Sequence, residues 1–294
     1  MKKFFGTGVA LVTPFDANGE IDFKGMKKLL RHTAQGGVDF YVVMGTTGES
    51  ATTTSEEKNE ILQFVKSNNP KKLPIVFGVG GNNTRHVTEL ISATDFTGVD
   101  GLLSVSPYYN KPSQEGIFQH FTAIADASPV PVILYNVPSR TASNISAETT
   151  LRLAAHKNIA ATKEASGNLD QCMRIIRQKP RDFFLLSGDD MLTVPLYSLG
   201  SQGVISVLAN ALPGIFAKMK KFVLNNQYDK ASREQFRLLD INGLMYEEGN
   251  PVGVKQLLAE MGICQRYTRL PMAPASEGLQ QKINAVYRSA IRKG

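Results

Sequence analysis

Cysteine is nearly absent from this 294-residue chain: Cys172 and Cys264 stand far apart, share no metal-type spacing and fall in helix-like segments. That excludes a disulfide framework and leaves each residue as a buried or half-buried thiol. Histidine is equally sparse, with His32, His86, His120 and His156 scattered and no two at ligand spacing, so no metal site is expected. No apolar stretch approaches the length that spans a bilayer. The start Met1-Lys2-Lys3-Phe4-Phe5-Gly6 lacks the apolar segment and small-residue cleavage site of a signal peptide. A cytoplasmic protein without a membrane partner is expected. Internal repeats and low-complexity segments are missing as well. So is the glycine-rich phosphate fingerprint of a doubly wound sheet, because Gly6-Thr7-Gly8 precedes a strand instead of opening a helix.

What is present is an ordinary globular balance, 42% hydrophobic and 20% charged residues, enough for a sizeable core. The formal charge of +7 raises the question of nucleic acid. The basic residues are dispersed, however, and the densest clusters, Lys218-Met219-Lys220-Lys221 and Arg288 to Lys293, read as solvated faces of amphipathic helices. No nucleic-acid partner is expected. A mild positive field suits small anionic substrates, whose encounter rate it raises.

Periodicity gives eight short apolar runs, at 8–12, 40–44, 74–79, 101–105, 131–135, 159–163, 183–187 and 203–207. Most gaps between them hold a helix-length pattern, such as 27–35, 55–67 and 84–97, with charges on one face and aliphatics on the other. Strands apolar on both faces and alternating with helices argue for an all-parallel sheet covered by helices. The fold class is therefore α/β, a closed (β/α)8 TIM barrel, with the open doubly wound sheet as runner-up. After about residue 225 the strand signal stops, and 228–239, 251–261 and 276–292 read as helices, the last two separated by the turn Leu270-Pro271-Met272-Ala273-Pro274. The expected organisation is a catalytic barrel over 1–225 and a C-terminal helical extension over 226–294.

Active sites of parallel barrels are built at the C-terminal ends of the strands. The sixth run carries small and apolar residues straight into Lys163. A lysine there either snorkels to water or, held in an apolar mouth, serves as the nucleophile of Schiff-base chemistry. The second run leads into Gly45-Thr46-Thr47-Gly48-Glu49-Ser50, whose hydroxyls and amides either cap the next helix or hold a small carboxylate. The fourth ends in Ser106-Pro107-Tyr108-Tyr109-Asn110 and the fifth in Tyr135-Asn136-Val137-Pro138-Ser139-Arg140. One tyrosine at a strand end is usually packing; tyrosines on two strands near a third strand's lysine are less ordinary. Arg140, after a proline-fixed turn, is either an ordinary surface residue or a rigid guanidinium presented to a carboxylate. Ser187-Gly188-Asp189-Asp190 and the run holding Ile205 supply small residues that let backbone approach a ligand.

These motifs, GTTGES at 45–50, SPYYNKP at 106–112, YNVPSRT at 135–141, KEASGN at 163–168 and SGDD at 187–190, resemble those of the dihydrodipicolinate synthase and N-acetylneuraminate lyase family. The resemblance covers essentially the whole chain. It implies that Lys163 condenses with the ketone of pyruvate and that the resulting enamine adds to an aldehyde. Tyr135 would relay protons in a triad with Thr47 and Tyr109. Thr46 and Thr47 would grip the pyruvate carboxylate, Gly188 and Ile205 would line the site, and Arg140 would bind the carboxylate of L-aspartate 4-semialdehyde. The product would be 4-hydroxy-tetrahydrodipicolinate, on the diaminopimelate route to lysine. The alternative is another pyruvate aldolase of the family, an N-acetylneuraminate lyase or keto-deoxy-sugar acid aldolase, which would need a polar pocket for a polyhydroxylated chain. A non-catalytic barrel acting as a regulator is disfavoured by the joint presence of Lys163, Tyr135 and Thr47. No metal or organic cofactor is implied. Because family members lend the residue matching Tyr109 across a subunit boundary, a homo-oligomer is implied, commonly a tetramer made of two dimers.

In lysine-inhibited members the effector sits at the dimer interface, held by a helix-start histidine pair and a glutamate. Here Ser50, Ala51, Asn82 and Tyr108 match that site, while Ser55, Lys58 and His86 replace the histidines and the glutamate. A cationic effector would lose a carboxylate and meet a lysine, so weak inhibition is expected.

Overall fold

The structure, a computed structural model, describes residues 2–291. Its strands are β1 (Gly6–Ala10), β2 (Phe40–Val43), β3 (Ile75–Gly78), β4 (Gly101–Val105), β5 (Val132–Asn136), β6 (Ile159–Glu164), β7 (Phe184–Ser187) and β8 (Gly203–Ser206). They follow one another in closed order, the arrangement of a (β/α)8 TIM barrel. The helices are α1 (Phe23–Gly36), α2 (Ser55–Ser67), α3 (Thr84–Ala93), α4 (Gln114–Ala127), α5 (Pro138–Thr141), α6 (Ala147–Ala154), α7 (Leu169–Gln178) and α8 (Thr193–Ser198). Beyond the last strand come α9 (Pro213–Leu224), α10 (Tyr228–Phe236), α11 (Leu239–Asn242), α12 (Val252–Glu260) and α13 (Glu277–Val286). Two compact units are distinguished by their internal contacts, Met1–Gly6 with Pro74–Ile205 and Thr7–Leu73 with Ser206–Gly294.

In the first unit each strand pairs in parallel with the next, from β3 to β8. Leu102, Val132, Ile133 and Leu134 are wholly buried, which is why these strands lack the polar alternation of a one-sided sheet. The helices start where a short polar side chain can take the N3 amide: Asn83 for α3, Ser113 for α4, Ser146 for α6 and Asn168 for α7. Helix α3 ends four residues before the expected 97, because Thr94 turns its amide to Ile91 and its hydroxyl to the Leu90 carbonyl.

In the second unit β1 and β2 pair in register at Gly8 and Phe40. Only glycine fits at position 8, since any Cβ would collide with the Phe40 ring. Met26, Leu29, Leu30, Thr33 and Ala34 form the buried stripe of α1, and the helix stops at Gly37 with φ +91°. Helix α2 opens with a capping box between Thr54 and Glu57. The single helix expected over 228–239 is interrupted after Phe236 by a tight turn in which the Leu238 amide meets the Gln235 carbonyl. The final helix passes into a wider turn at Tyr287–Ile291, and Arg292 of the expected span lies outside the described residues.

Strand β1 begins two residues before the expected 8, because the Gly6 amide already bonds the Gln202 carbonyl and the Thr7 carbonyl accepts from Asp39. Pairing partners outweigh the weak strand propensity of glycine. Among the described residues no helix is long and apolar enough to cross a membrane. Cys172 and Cys264 are free and buried, and burial pushes each thiol up to about 12.

Candidate active site

Strand register places the central pair. Tyr135 on β5 and Lys163 on β6 are direct partners, and the next pair along is Asn136 and Glu164. Successive residues of a strand face opposite sides. Asn136 and Glu164 turn toward Gln171 of α7, so Tyr135 and Lys163 turn to the side away from that helix. Both are buried, with Lys163 5% and Tyr135 7% exposed, and the lysine Nζ lies 4.2 Å from the centre of the tyrosine ring. The amine is therefore held against an aromatic face instead of snorkelling to water.

Gly188, just past β7, completes this corner: a Cβ there would come 3.1 Å from Lys163 Cε and 2.6 Å from Ala165 Cβ. Its amide donates to the Glu164 carbonyl at 2.7 Å. Ile205, on β8, is fully buried. Arg140 sits in the one-turn helix α5, exposed, with its guanidinium unbonded among the described residues. The loop around it is well tied: Thr141 Oγ1 donates to the Ser143 carbonyl at 2.7 Å and Ser143 Oγ to the Pro107 carbonyl at 3.1 Å. That second bond joins the arginine loop to the segment carrying Tyr108 and Tyr109. Tyr109 has φ +73° and is 85% exposed.

In the second unit, Thr46 and Thr47 form a single 3-10 turn after β2, closed by Glu49 at φ +56°. Thr47 is buried, and Asn250 Nδ2 donates to its hydroxyl at 3.0 Å. A hydroxyl that accepts there keeps its own proton to donate elsewhere. Thr13 Oγ1 donates to the Gly48 carbonyl at 2.6 Å, fixing the turn from below.

A family model described as the dihydrodipicolinate synthetase family matches residues 3–290. The chain belongs to the dihydrodipicolinate synthetase family. It is 50% identical over 293 residues, covering 100% of this chain and 99% of the other, to a 4-hydroxy-tetrahydrodipicolinate synthase of Cytophaga hutchinsonii. Among solved structures it is similar to a dihydrodipicolinate synthase of Bacillus anthracis, with TM-score 0.94 and 38% identity over 98% of this chain and 99% of that one. It is also similar to the enzyme of Cyanidioschyzon merolae with lysine bound, with TM-score 0.94 and 40% identity over 98% of each chain.

Within this family member, three features escape a reading of the sequence. Asn250 lies in a Gly-Asn-Pro turn that signals only a loop, 203 residues from the threonine it holds. Lys255 falls in the stretch 251–261, which the sequence shows only as a helix, yet it is fully buried and bonds Glu49 of the GTTGES turn and the Tyr267 carbonyl. Burial drives its pKa below the usual lysine value, opposed by the Glu49 carboxylate. Arg269 adds a backbone donation to Glu49 at 3.0 Å and a bidentate grip on Glu57 of α2, at 2.6 and 2.7 Å. That grip holds the Glu57 carboxyl below its usual range. The Lys255 amine and the Arg269 guanidinium each lie 4.3 Å from the centre of the Phe15 ring.

Of the positions matching an effector site, Ser55 opens α2 and is exposed, and Lys58 follows within one turn, half-buried. Burial lowers the Lys58 pKa, against the pull of Glu57. Ser50 is half-buried and Ala51 exposed. Asn82 Nδ2 donates to the Tyr108 carbonyl at 3.2 Å, and His86 is exposed on the first turn of α3.

Proposed function

We propose that this chain is a 4-hydroxy-tetrahydrodipicolinate synthase, condensing pyruvate with L-aspartate 4-semialdehyde through an imine on Lys163. The observation that carries the reading is the buried Lys163 amine against Tyr135, with Gly188 keeping the space beside its Cε open. Membership of a family whose named relatives carry this activity at up to 50% identity supports it. The amine attacks the ketone carbon, water leaves, and the imine draws electrons from the methyl group so that a proton can be removed. The enamine carbon then bonds to the aldehyde carbon.

Each proton moved needs a partner nearby. Tyr135 is the group beside the amine, and Thr47 and Tyr109 complete the proposed relay. Thr46 and Thr47 take the pyruvate carboxylate, Gly188 and Ile205 line its pocket, and Arg140 takes the carboxylate of the second substrate. The donation from Asn250 supports Thr47's part by leaving its O–H free to point at substrate. The chemistry needs no metal or organic cofactor.

We read residues 1–225 as the catalytic barrel and 226–294 as a C-terminal helical domain. The working form is a cytoplasmic homo-oligomer, a tetramer made of two dimers, in the diaminopimelate route to lysine. The exposure of Tyr109, a large ring held in a strained turn, suits a residue lent to a neighbouring subunit.

Borohydride reduction in the presence of pyruvate tests the chemistry: one pyruvate-derived adduct per chain, at Lys163, is expected. A coupled assay then compares aspartate semialdehyde with polyhydroxylated aldehydes. An adduct elsewhere refutes the mechanism, and preference for the polyhydroxylated aldehydes transfers the chain to the lyase branch.

A further inference from the structure

Directly after the lysine, β6 ends in a buried carboxylate for which the mechanism above has no use. Glu164 is 2% exposed. Its partners are all donors without charge: Asn136 Nδ2 reaches both carboxylate oxygens at 3.0 Å, Gln171 Nε2 reaches Oε2 at 3.0 Å, and the Ser166 amide reaches Oε1 at 2.9 Å. Burying an acid without a cation is costly, and a neutral amide in its place would offer hydrogens to donors that have nothing to accept them with. The position therefore asks for an acceptor with two equivalent oxygens.

The same amides close a loop. Asn136, wholly buried at the end of β5, also donates to Asn144 Oδ1 at 2.7 Å and accepts from the Ile145 amide at 3.0 Å. Asn144 Nδ2 donates to Gln171 Oε1 at 2.8 Å, and Gln171 Nε2 donates back to the Ile145 carbonyl at 3.2 Å. Residues 137–143 thus leave the sheet at Asn136 and return to Asn136, with Arg140 at the middle of the excursion. The start of that loop bonds the Glu164 carboxylate directly through Asn136, and its return is tied to the same carboxylate through the side-chain amides of Asn136 and Gln171. That carboxylate belongs to the residue adjoining Lys163.

We infer that Glu164 is a positioning residue for the second substrate: it clamps the base of the Arg140 loop to the strand end that carries Lys163, fixing the guanidinium relative to the amine. The inference rests on the roles proposed above for Lys163 and Arg140. It separates two steps of the reaction, because the groups proposed to take pyruvate lie outside the Arg140 loop, whereas capture of an anionic aldehyde needs the arginine held at the right distance from the lysine.

The test uses Glu164→Gln and Asn144→Ala in the full-length chain, each alone and combined with Arg140→Ala. Glu164→Gln is expected to lower kcat/KM for aspartate semialdehyde by about tenfold, chiefly through KM, while leaving pyruvate trapping by borohydride within about twofold. Asn144 is exposed, so its alanine variant disturbs the fold little and keeps the test alive if the buried substitution prevents folding. A rise of about threefold in the semialdehyde KM is expected from it. Glu164→Asp, which keeps the charge, should recover part of the loss. The deciding measurement is the coupling: in the Arg140→Ala background either substitution should cost less than about twofold. Equal losses in pyruvate trapping and in semialdehyde use, or full additivity with Arg140→Ala, overturn the inference while leaving the proposed function standing. A parent chain that neither traps pyruvate nor turns over the semialdehyde overturns both.

Discussion

Lys163 and Tyr135 are partners across β5 and β6, with the lysine amine 4.2 Å from the centre of the tyrosine ring. Tyr135→Phe keeps that ring and removes only the hydroxyl. Turnover should fall by about 10²–10⁴-fold, the usual range for a lost proton-transfer group, with the thermal midpoint little changed. Steady-state assay beside a melting curve measures both, and a phenylalanine variant of full activity would remove Tyr135 from the relay.

Arg140→Ala should separate the two substrates. Loss of a charge-assisted contact of about 1.5–3 kcal/mol corresponds to roughly 10–150-fold in kcat/KM for the semialdehyde. Formation of the borohydride-trapped pyruvate adduct should be unaffected. An unchanged kcat/KM would show that another residue meets the second carboxylate.

Lys255→Met tests the clamp on the GTTGES turn. The substitution strands the buried Glu49 without its cation, and about 3–5 kcal/mol of stability should be lost. Pairing it with Glu49→Gln removes the stranded charge and should restore part of that loss. Denaturant midpoints of the two single variants and the double variant give the comparison, and three equal midpoints would contradict it.

His120 makes the stability depend on pH. Its ring is 4% exposed, bonded to Thr84 at 2.9 Å, and burial lowers its pKa from the ordinary 6.5 to about 4. Above pH 6.5 both the folded and unfolded chains hold the ring neutral, and stability is complete. As pH falls from 6.5 toward 4 the unfolded chain takes up a proton that the folded chain refuses, so stability is lost across that window. The total is about 3 kcal/mol by the cost of a pKa shift. Unfolding curves across that window should be steeper in pH for the parent than for His120→Gln; identical slopes would place the histidine's titration elsewhere.

Lysine should inhibit weakly. An ammonium effector needs acceptors, and the positions that the family resemblance implies for an effector site include Ser55, Lys58 and His86, none of them a carboxylate. An effector that scarcely binds cannot shift an equilibrium between states. A lysine titration of steady-state rate, paired with calorimetry, decides it. Strong cooperative inhibition at low lysine would mean that Glu49, Asn82 or Tyr108 supplies the contacts.

Much of the barrel is visible in the chain as written, because strands buried on both faces leave continuous apolar runs that little else produces. Boundaries drift by one or two residues where a partner extends the ladder, as Gln202 does for Gly6. Lys163 and Tyr135 stand out for the same reason: an amine and a phenol interrupt runs that should end in loops. Glu164 does not, since a carboxylate following a lysine at a strand end reads as an ordinary exit into solvent.

By itself the sequence determined the eight-strand alternation, the residues at the strand ends and the family to which they point. All of these follow from local pattern, in which burial selects apolar residues and turns select glycine, proline and short polar side chains. Only the tertiary structure decided which polar groups bury one another. Asn250 meets Thr47 across 203 residues and Lys255 meets Glu49 across 206, while the Glu164 carboxylate gathers Asn136 from 28 residues away. A buried hydrogen bond depends on where two chain segments arrive in space and on the water both groups lose there. No spacing along the chain encodes either.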